Sequence, residues 1–351
     1  MRKRQSAKRK KSKKQEQAQK PTVDIQDIEY ETEAVEEHAN VLFKPNPGPQ
    51  TDFLAASERE VLYGGSAGGG KSYAMLADPL RYMGHPQFSG LLLRHTTEEL
   101  RELIFKSQEL YPKIWPGIKW SERKMQWTAP SGARLWMSYL DRDEDVLRYQ
   151  GLAFSWIGFD ELTQWGNPYA WNYMRSRLRS TAPDLPIFMR ATTNPGGRGH
   201  HWVKKMFIDP APYNKAYDAT DIETGEILRY PAGHSKAGKP LFKRRFIPAR
   251  LSDNPYLSET GDYEAMLLSL PEQQRRQLLD GDWDIKEGAA FTEFDRDIHV
   301  VEPFNIPSNW VKFRACDYGY GSYSGVVWCA VAPSEQIIVY RELYVSKVLA
   351  T

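Results

Sequence analysis

The sequence has few cysteines and no long apolar run, and each absence excludes a class of protein. Only Cys316 and Cys329 occur among its 351 residues, too few for a disulfide framework, so we expect a reducing compartment. No run approaches the 18 apolar residues that indicate a membrane-spanning helix, so we expect no membrane span. The basic first residues have no apolar stretch behind them, so we expect no secretory signal there.

Positive charge is concentrated in the first 20 residues. They carry ten Lys/Arg and one acid, which leaves 37 basic and 44 acidic residues in the rest of the chain. Residues 24–37 then carry seven acids. A basic block followed by an acidic block is typical of disorder, so we predict a disordered tail over residues 1–40. Its role is open between solubility and weak, salt-sensitive contact with nucleic acid.

From residue 41 onwards, apolar strand-like runs alternate with helix-like segments. The predicted strands are Val61–Tyr63, Gly90–Arg94, Phe154–Phe159 and Ile187–Ala191, with a hairpin over Trp127–Leu140. The predicted helices are Thr51–Glu60, Lys71–Arg81, Thr96–Leu110 (with Thr97 as N-cap) and Pro168–Arg179. This alternation predicts an α/β fold with a mainly parallel sheet flanked by helices.

The last third of the sequence changes character. Residues 200–290 predict loops around a small β element and a helical segment, Leu257–Leu279, that Pro271 divides. Three consecutive strands are then predicted: Val311–Asp317, Gly325–Val331 and Ile337–Tyr344. Three strands are the lower limit for a stable sheet, so we expect the C-terminal unit to be incomplete at Thr351.

Residues 65–72 fit the phosphate-loop pattern G-x-x-x-x-G-K-[ST] in full, between a predicted strand and a predicted helix. Glycines let backbone N–H groups curl around phosphate oxygens, and the helix N-terminus adds partial positive charge. The pattern predicts binding of ATP with Mg²⁺, Lys71 reaching the β and γ phosphates and Ser72 ligating the metal. The predicted nucleotide-binding residues are Gln50, Gly65, Ser66, Ala67, Gly68, Gly69, Gly70, Lys71 and Ser72.

Polar side chains end two further predicted strands. Asp160 is predicted to complete the Mg²⁺ shell, directly or through water, and Glu161 to orient or deprotonate the attacking water. Thr192, Thr193 and Asn194 follow the next strand and are predicted to sense the γ-phosphate and relay its loss.

Two further requirements of an ATPase have candidate residues. Gln50, just before the first strand, has an amide that both donates and accepts and so can pair with an adenine edge. Charge in the transition state calls for an arginine, which the loop itself lacks. Arg94 and Arg148 are the preferred candidates, whereas Arg101 and Arg142 are more typical of solvated surface charge.

These segments together resemble the large subunit of a tailed-bacteriophage terminase. The matching stretches are NPGPQ (46–50), YGGSAGGGKS (63–72), LLLRHTTEEL (91–100), YQGLAFSWIGFDELT (149–163), ATTNPGG (191–197), LSDNPYL (251–257), LDGDW (279–283), AFTEFDRDIHVV (290–301) and RACDYGYG (314–321). The phosphate loop is shared by many families, whereas this collinear set is far more specific.

The resemblance implies a P-loop ATPase core over residues 41–200, a lid and linker subdomain over 201–290, and the start of a ribonuclease-H-like nuclease domain over 291–351. Asp317 fits the first metal-binding acid of that nuclease, and Glu342 is left unassigned. A complete nuclease site would hold a pair of divalent metal ions. Its other acids are expected after the third strand, so we do not expect this chain to cut DNA.

The resemblance also implies partners and a location. The partners are double-stranded DNA, the portal protein and the terminase small subunit, with a homo-pentamer on the portal. The location is the cytoplasm of an infected bacterium, with transient attachment to the prohead. Candidate DNA contacts are Lys204, Lys205, Lys243, Arg244 and Arg245, for each of which a solvated face is the simpler interpretation.

Two other functions stay open. One is a nucleotide-dependent structural docking module of the capsid portal without useful hydrolysis, which the Asp160-Glu161 pair disfavours. The other is a helicase-like DNA translocase, which needs a second helicase-type domain that we do not find in the sequence.

Overall fold

The computed structural model describes residues 43–285, 299–317 and 323–346. The chain divides into two compact units, residues 1–287 and 288–351. The predicted tail over residues 1–40 lies outside the described residues. No helix among the described residues is long and apolar enough to cross a membrane.

A mostly parallel sheet forms the centre of the first unit. Its strands are β1 (Glu60–Gly65), β2 (Ser89–Arg94), β3 (Lys119–Ser121), β4 (Gln126–Thr128), β5 (Arg134–Tyr139), β6 (Trp156–Asp160), β7 (Phe188–Thr193), β8 (Ala216–Asp218) and β9 (Lys243–Ala249). They lie in the order β3-β4-β5-β2-β6-β7-β1-β9-β8. The strands from β5 to β9 in this order pair in parallel. The antiparallel pairs lie at the two ends of the sheet. The predicted α/β fold is therefore confirmed.

Helices precede, separate and follow these strands in the chain. They are α1 (Pro49–Ala55), α2 (Lys71–Ala77), α3 (Thr97–Ile114), α4 (Tyr169–Arg175), α5 (His200–Val203), α6 (Pro255–Ser258), α7 (Asp262–Leu268) and α8 (Glu272–Arg275). The 3₁₀ segment Asp78–Tyr82 continues α2, and wider π-type turns continue α5 and α8 over Lys204–Ile208 and Arg276–Asp280.

The helices cover both faces of the sheet because the buried strands are apolar on both sides. On β2, Leu91 and Leu93 belong to one core cluster, which includes residues of α4 and α5. Leu92 belongs to a second cluster, which includes residues of α2 and α3. Such burial on two faces is what parallel sheets require.

Several predicted boundaries need correction. The helix predicted over Thr51–Glu60 is α1, which ends at Ala55, and Glu60 is instead the first residue of β1. The N-cap of α3 is Thr96 rather than Thr97. The Thr96 hydroxyl accepts the Glu99 N–H, and the Glu99 carboxylate accepts the Thr96 N–H. This reciprocal capping box satisfies two N–H groups that a helix start leaves unpaired.

The central sheet continues past residue 200, where the sequence predicts a domain boundary. Strand β9 pairs in parallel with β1, from Glu60↔Arg244 to Gly65↔Ala249. Residues 243–249 are therefore part of the central sheet. The predicted helix over 257–279 is broken near Pro271, as expected, and also at Gly261 between α6 and α7.

The second unit, where described, is a three-stranded antiparallel sheet. Its strands β10 (Val311–Asp317), β11 (Tyr323–Val331) and β12 (Ile337–Ser346) lie in sequence order. A register shift interrupts the β11–β12 pairing between Trp328 and Cys329. The three predicted strands are confirmed.

Candidate nucleotide site

The predicted site residues meet at one edge of the central sheet. β1 is parallel to β7, and β7 to β6, so the three strands end on the same side. Their register places Tyr63 beside Thr192 and Thr192 beside Asp160. Ligand sites of open α/β sheets lie at this carboxyl edge.

The phosphate loop connects β1 to α2 through backbone that only glycine adopts easily. Gly70, the N-cap of α2, has φ +76°, and a Cβ there would lie 2.7 Å from Gln50 Nε2. At Gly65, a Cβ would lie 2.2 Å from the carbonyl oxygen of Ala249. The loop therefore fits tightly between β9 and Gln50.

The loop carbonyls are held by side-chain donors. Tyr63 donates to the Gly69 carbonyl at 2.8 Å, Asn254 Nδ2 to Gly68 at 2.6 Å, and Gln50 Nε2 to Gly70 at 2.9 Å. Lys71 Nζ donates to the Ser66 carbonyl. Within the described residues, the N–H groups of 68–70 donate to no protein acceptor. They are available to phosphate oxygens.

Lys71 is buried next to the two predicted acids. Burial lowers its pKa, and the negative charges of Glu161 and then Asp160 act in the opposite direction. The ammonium group thus lies between the loop and the acid pair, where a triphosphate would carry its highest charge density.

Asp160 is fully buried and held from two sides. Thr192 Oγ1 donates to its Oδ1. Arg94 Nε lies 2.9 Å from its Oδ2 and forms an ion pair without an aligned hydrogen bond. The structure therefore brings Arg94 to the site, but as the counter-ion of Asp160.

Glu161 has left-handed backbone, with φ +59°. A non-glycine residue in that region is uncommon, and such residues are concentrated at functional sites. The surrounding protein raises the pKa of Glu161 by desolvation, and the charge of Asp160 raises it further. Lys71, Arg94 and a hydrogen bond from the Asn194 backbone act in the opposite direction. Its raised pKa makes Glu161 a better proton acceptor than an ordinary carboxylate.

The Thr192–Asn194 segment at the end of β7 contacts both acids and the residues that follow them. The Thr193 hydroxyl lies 2.7 Å from the Thr163 hydroxyl, just beyond Glu161. Asn194 Oδ1 is buried, and no hydrogen-bond partner is present among the described residues. A displacement at the end of β7 would therefore also displace the end of β6.

The end of β9 and the elements after it also contact the phosphate loop. The N–H groups of Ser66 and Ala67 donate to the carbonyls of Ala249 and Leu278 at 2.8 and 2.7 Å. A Cβ on Gly281 would lie 2.6 Å from the Ser66 nitrogen. Tyr63, Asn254 and Gly281 fall within motif stretches visible in the sequence, but no role was predicted for them.

Other predicted residues lie elsewhere. Arg148 is exposed, donates to the Tyr139 carbonyl at 2.8 Å and pairs with Asp145, so the structure does not bring it to the acid pair. Asp317 ends β10 and is exposed, and the residues after it lie outside the described part. Among the described residues, no cluster of three or more His, Cys, Asp or Glu side chains has the spacing of a metal site.

Three of the predicted DNA contacts have protein partners instead. Arg244 is buried and pairs with Glu60 at 2.7 Å. Arg245 donates to Asn214 at 2.6 Å. Lys204 pairs with Asp284 at 2.6 Å.

The residues present fit a magnesium-bound nucleotide. The loop offers free N–H groups and Lys71 for the phosphates. Two buried polar atoms have no hydrogen-bond partner among the described residues: Ser66 Oγ in the loop and Asp160 Oδ2 in the acid pair. Ser72, partly exposed at the start of α2, and Asp160 supply the oxygen ligands that Mg²⁺ prefers.

The chain was compared with known proteins. A family model described as terminase large subunit, T4likevirus-type, N-terminal, matches residues 62–298, more than half of the chain. The large terminase of a thermophilic bacteriophage, in complex with ADP, is 16% identical, with a TM-score of 0.50 over 86% of this chain and 68% of that one. Another crystal form of that terminase is also 16% identical, with a TM-score of 0.51 over 86% and 69%. At such identities the likeness shows the fold alone. No curated protein matches the sequence.

Proposed function

Since this chain belongs to the family of terminase large subunits of the T4likevirus type, we propose that it is an ATP-hydrolysing motor subunit that translocates viral double-stranded DNA into a prohead. One observation carries the proposal. A loop whose N–H groups 68–70 have no acceptor among the described residues lies, with the buried Lys71, at the same sheet edge as the buried Asp160 and the partly buried Glu161. Phosphoryl transfer depends on this positioning of charge around the phosphates.

The residues divide the chemistry among them. The N–H groups of 68–70 and the Lys71 ammonium bind the phosphates, and Gln50 contacts the adenine. Ser72 and Asp160 would hold Mg²⁺, which when bound would neutralise negative charge on the phosphates. Glu161 accepts a proton from water as the water oxygen bonds to the γ-phosphorus. The bond to the β–γ bridging oxygen breaks, and ADP leaves with its electron pair.

Loss of the γ-phosphate is read at the Thr192–Asn194 segment. This proposal is supported by the hydrogen bonds of Thr192 to Asp160 and of Thr193 to Thr163. Movement then passes to the elements after β9, which contact the loop through Asn254 and Leu278. In a ring of subunits on the portal, a pentamer by family resemblance, this movement would act on DNA.

The second unit is proposed to begin a nuclease domain. Asp317 would supply its first metal-binding acid, at the end of β10. The portal protein and the terminase small subunit are the proposed partners of the motor.

Two substitutions test the enzymatic proposal. Glu161→Gln should keep ATP affinity and lower kcat by about 10²–10⁴, because the proton acceptor is lost. Lys71→Ala should lower ATP affinity itself. Both effects are measured by steady-state turnover and by binding of a fluorescent ATP analogue, with DNA, portal and small subunit added in turn.

Exposed residues provide matched controls. Glu259→Gln and Lys113→Ala make the same charge changes at exposed positions and should leave turnover unchanged. A Glu161→Gln variant with wild-type turnover would contradict the proposal and favour a docking module. So would a folded wild-type chain that binds ATP with Mg²⁺ and never hydrolyses it with any of these partners.

A further inference from the structure

An exposed loop of residues 229–239, here the basic loop, lies between β8 and β9. Its base is a hydrogen-bonded meander in which Leu228 donates to Ala219 and Leu241 donates to Leu228. Ala219 is buried, which anchors the meander to the first unit. Residues 231–239 are all exposed.

The basic loop is ordered by its own contacts. The N–H of Tyr230 donates to the Lys239 carbonyl, and that of Gly238 to the Tyr230 carbonyl, both at 3.0 Å. Arg229 Nη1 donates to the Gly238 carbonyl at 2.8 Å. The rings of Tyr230 and His234 stack at 4.5 Å. The cations of the loop are therefore presented from a defined backbone.

The segment that carries the loop has charge of one sign, although Asp218 of β8 lies opposite Lys243 in the sheet. Between Glu226 and Asp253 the chain has seven Lys/Arg and no acidic residue. Arg244 and Arg245 are engaged with partners inside the protein. Arg229, Lys236, Lys239 and Lys243 are exposed and form no ion pair within the described ranges. Of the acids that precede the loop, Asp221 accepts the N–H groups of Glu223 and Thr224, which occupy its carboxylate locally.

The basic loop lies away from the nucleotide site. Strand β9 starts at Lys243, and its next residue, Arg244, pairs with Glu60 at the start of β1. The phosphate loop follows the other end of β1. At ~3.3 Å per residue, the length of β1 separates it from Glu60 by about 20 Å. The loop is therefore at the amino edge of the sheet.

We propose that the basic loop, together with Lys243, contacts the phosphate backbone of duplex DNA. The partner rests on the proposed function, and the surface rests on the loop itself. Exposed cations on an ordered loop bind phosphates and release counterions, without reading sequence. Residues 231–239 contain no large apolar side chain. This exposed tip therefore lacks the large apolar anchor on which protein interfaces depend, and the aromatic ring of Tyr230 is stacked on His234 within the loop.

The test is a triple variant, Lys236→Ala, Lys239→Ala and Lys243→Ala, in the full chain. Arg229 is kept because it closes the loop. Affinity for duplex DNA of random sequence is measured by fluorescence anisotropy across a series of salt concentrations. Each lost phosphate contact should reduce the slope of log K against log salt by about 0.9, so three should reduce it by about 2–3. ATP turnover without DNA should be unchanged.

A second triple variant is the matched control. Arg101→Ala, Lys113→Ala and Lys124→Ala remove the same charge from exposed positions elsewhere, and the slope should stay at the wild-type value. If the loop variant and the wild type have equal slopes of log K against log salt, the proposal is overturned. It is also overturned if the slope falls as much in the control variant as in the loop variant. A wild-type chain that binds no duplex DNA would overturn both this proposal and the DNA part of the proposed function.

Discussion

The side chain of Arg94 forms an ion pair with Asp160 and is therefore not available to bind a substrate. Its Nε lies 2.9 Å from Oδ2, and both side chains are buried. Arg94→Gln would leave Asp160 as a buried charge without its cation. Because breaking a buried pair costs about 3–5 kcal/mol, we expect the free energy of unfolding to fall by about 3 kcal/mol, measured by urea denaturation.

Arg245→Gln is the control for this prediction. Arg245 is only half-buried, donates to the neutral side chain of Asn214 and has Glu58 at 3.8 Å as a longer ion-pair partner, so its loss should cost less, about 1 kcal/mol. An arginine that served only the transition state would lower kcat and leave the stability unchanged. Wild-type stability of Arg94→Gln would therefore contradict the counter-ion role.

The buried carboxylate of Glu60 should make the stability of the protein depend on pH. Burial alone would raise its pKa, but the guanidinium groups of Arg244 and Arg175 outweigh burial and hold the pKa below its ordinary value. A lowered pKa in the folded state stabilises the protein above the unfolded pKa of about 4.3. That stabilisation is lost as the pH falls through the lowered value.

Glu60→Gln should therefore destabilise the protein at pH 7 by about 3–5 kcal/mol, because Arg244 stays buried without a charge partner. The difference from the wild type should shrink in urea unfolding curves taken below pH 4. Glu259→Gln, at an exposed position, should leave both curves nearly unchanged. If the difference in unfolding free energy between Glu60→Gln and the wild type does not change with pH, the predicted effect of the lowered Glu60 pKa is contradicted.

Individual side chains were predictable from the sequence where a strand end fixes their place. Asp160 and Thr192 follow apolar runs, and parallel strands bring them together. Asn254 was not assigned because its contact with Gly68 joins residues 186 positions apart. Arg94 was expected at the site for its charge, but a strand position alone does not reveal that its partner is Asp160.

At the scale of elements, the turn after α8 packs directly on the phosphate loop. Gly281 has φ +64°, and a Cβ there would lie 2.6 Å from the Ser66 nitrogen. We expect Gly281→Ala to move this turn off the loop and to weaken ATP binding by about tenfold, a loss of about 1.4 kcal/mol. The measurement is titration with a fluorescent ATP analogue.

Gly261→Ala separates backbone strain from crowding. Gly261 has φ +70°, and a Cβ there meets nothing within 4 Å. Both substitutions should cost about 1–2 kcal/mol of stability for the left-handed backbone. Only Gly281→Ala should change ATP affinity. If the two variants bind ATP equally, the turn does not support the loop.

The elements of the central sheet were predicted from apolar runs bounded by glycine, proline or polar residues. Strand β9 was not predicted, because it begins with Lys243 and two arginines. Arg244 is buried there only because Glu60 supplies a charge 184 positions away. Pro248 is tolerated because β8 pairs only with residues 243–245 of β9, which leaves its second half at an edge.

For the whole molecule, strand-helix alternation was enough to predict the fold class, because a parallel sheet requires crossover helices on its faces. The order of the strands could not be predicted. The sequence order of β1, β2, β6 and β7 becomes β2-β6-β7-β1 in space, and the contacts that decide it are long-range. Strand β9, which continues the central sheet past residue 200, was missed for the same reason.

The distribution of charge leads to the last prediction. Deleting residues 2–20 removes ten Lys/Arg and one acid and takes the net charge from +2 to −7. Because DNA association responds to charge over a Debye length, we expect the deletion to weaken duplex DNA binding strongly at low salt and little at high salt. ATP affinity should stay at the wild-type value, since every residue of the described site lies after residue 42.

A scrambled segment of the same composition is the control, and it should restore DNA binding if charge rather than sequence matters. If the first 20 residues and the basic loop contact DNA independently, the effects of the deletion and of the triple variant on log K should add. Unchanged DNA binding with reduced solubility would assign the first 20 residues to solubility instead. The basic loop would then be the main positive surface that duplex DNA meets on a body whose remaining charge is negative.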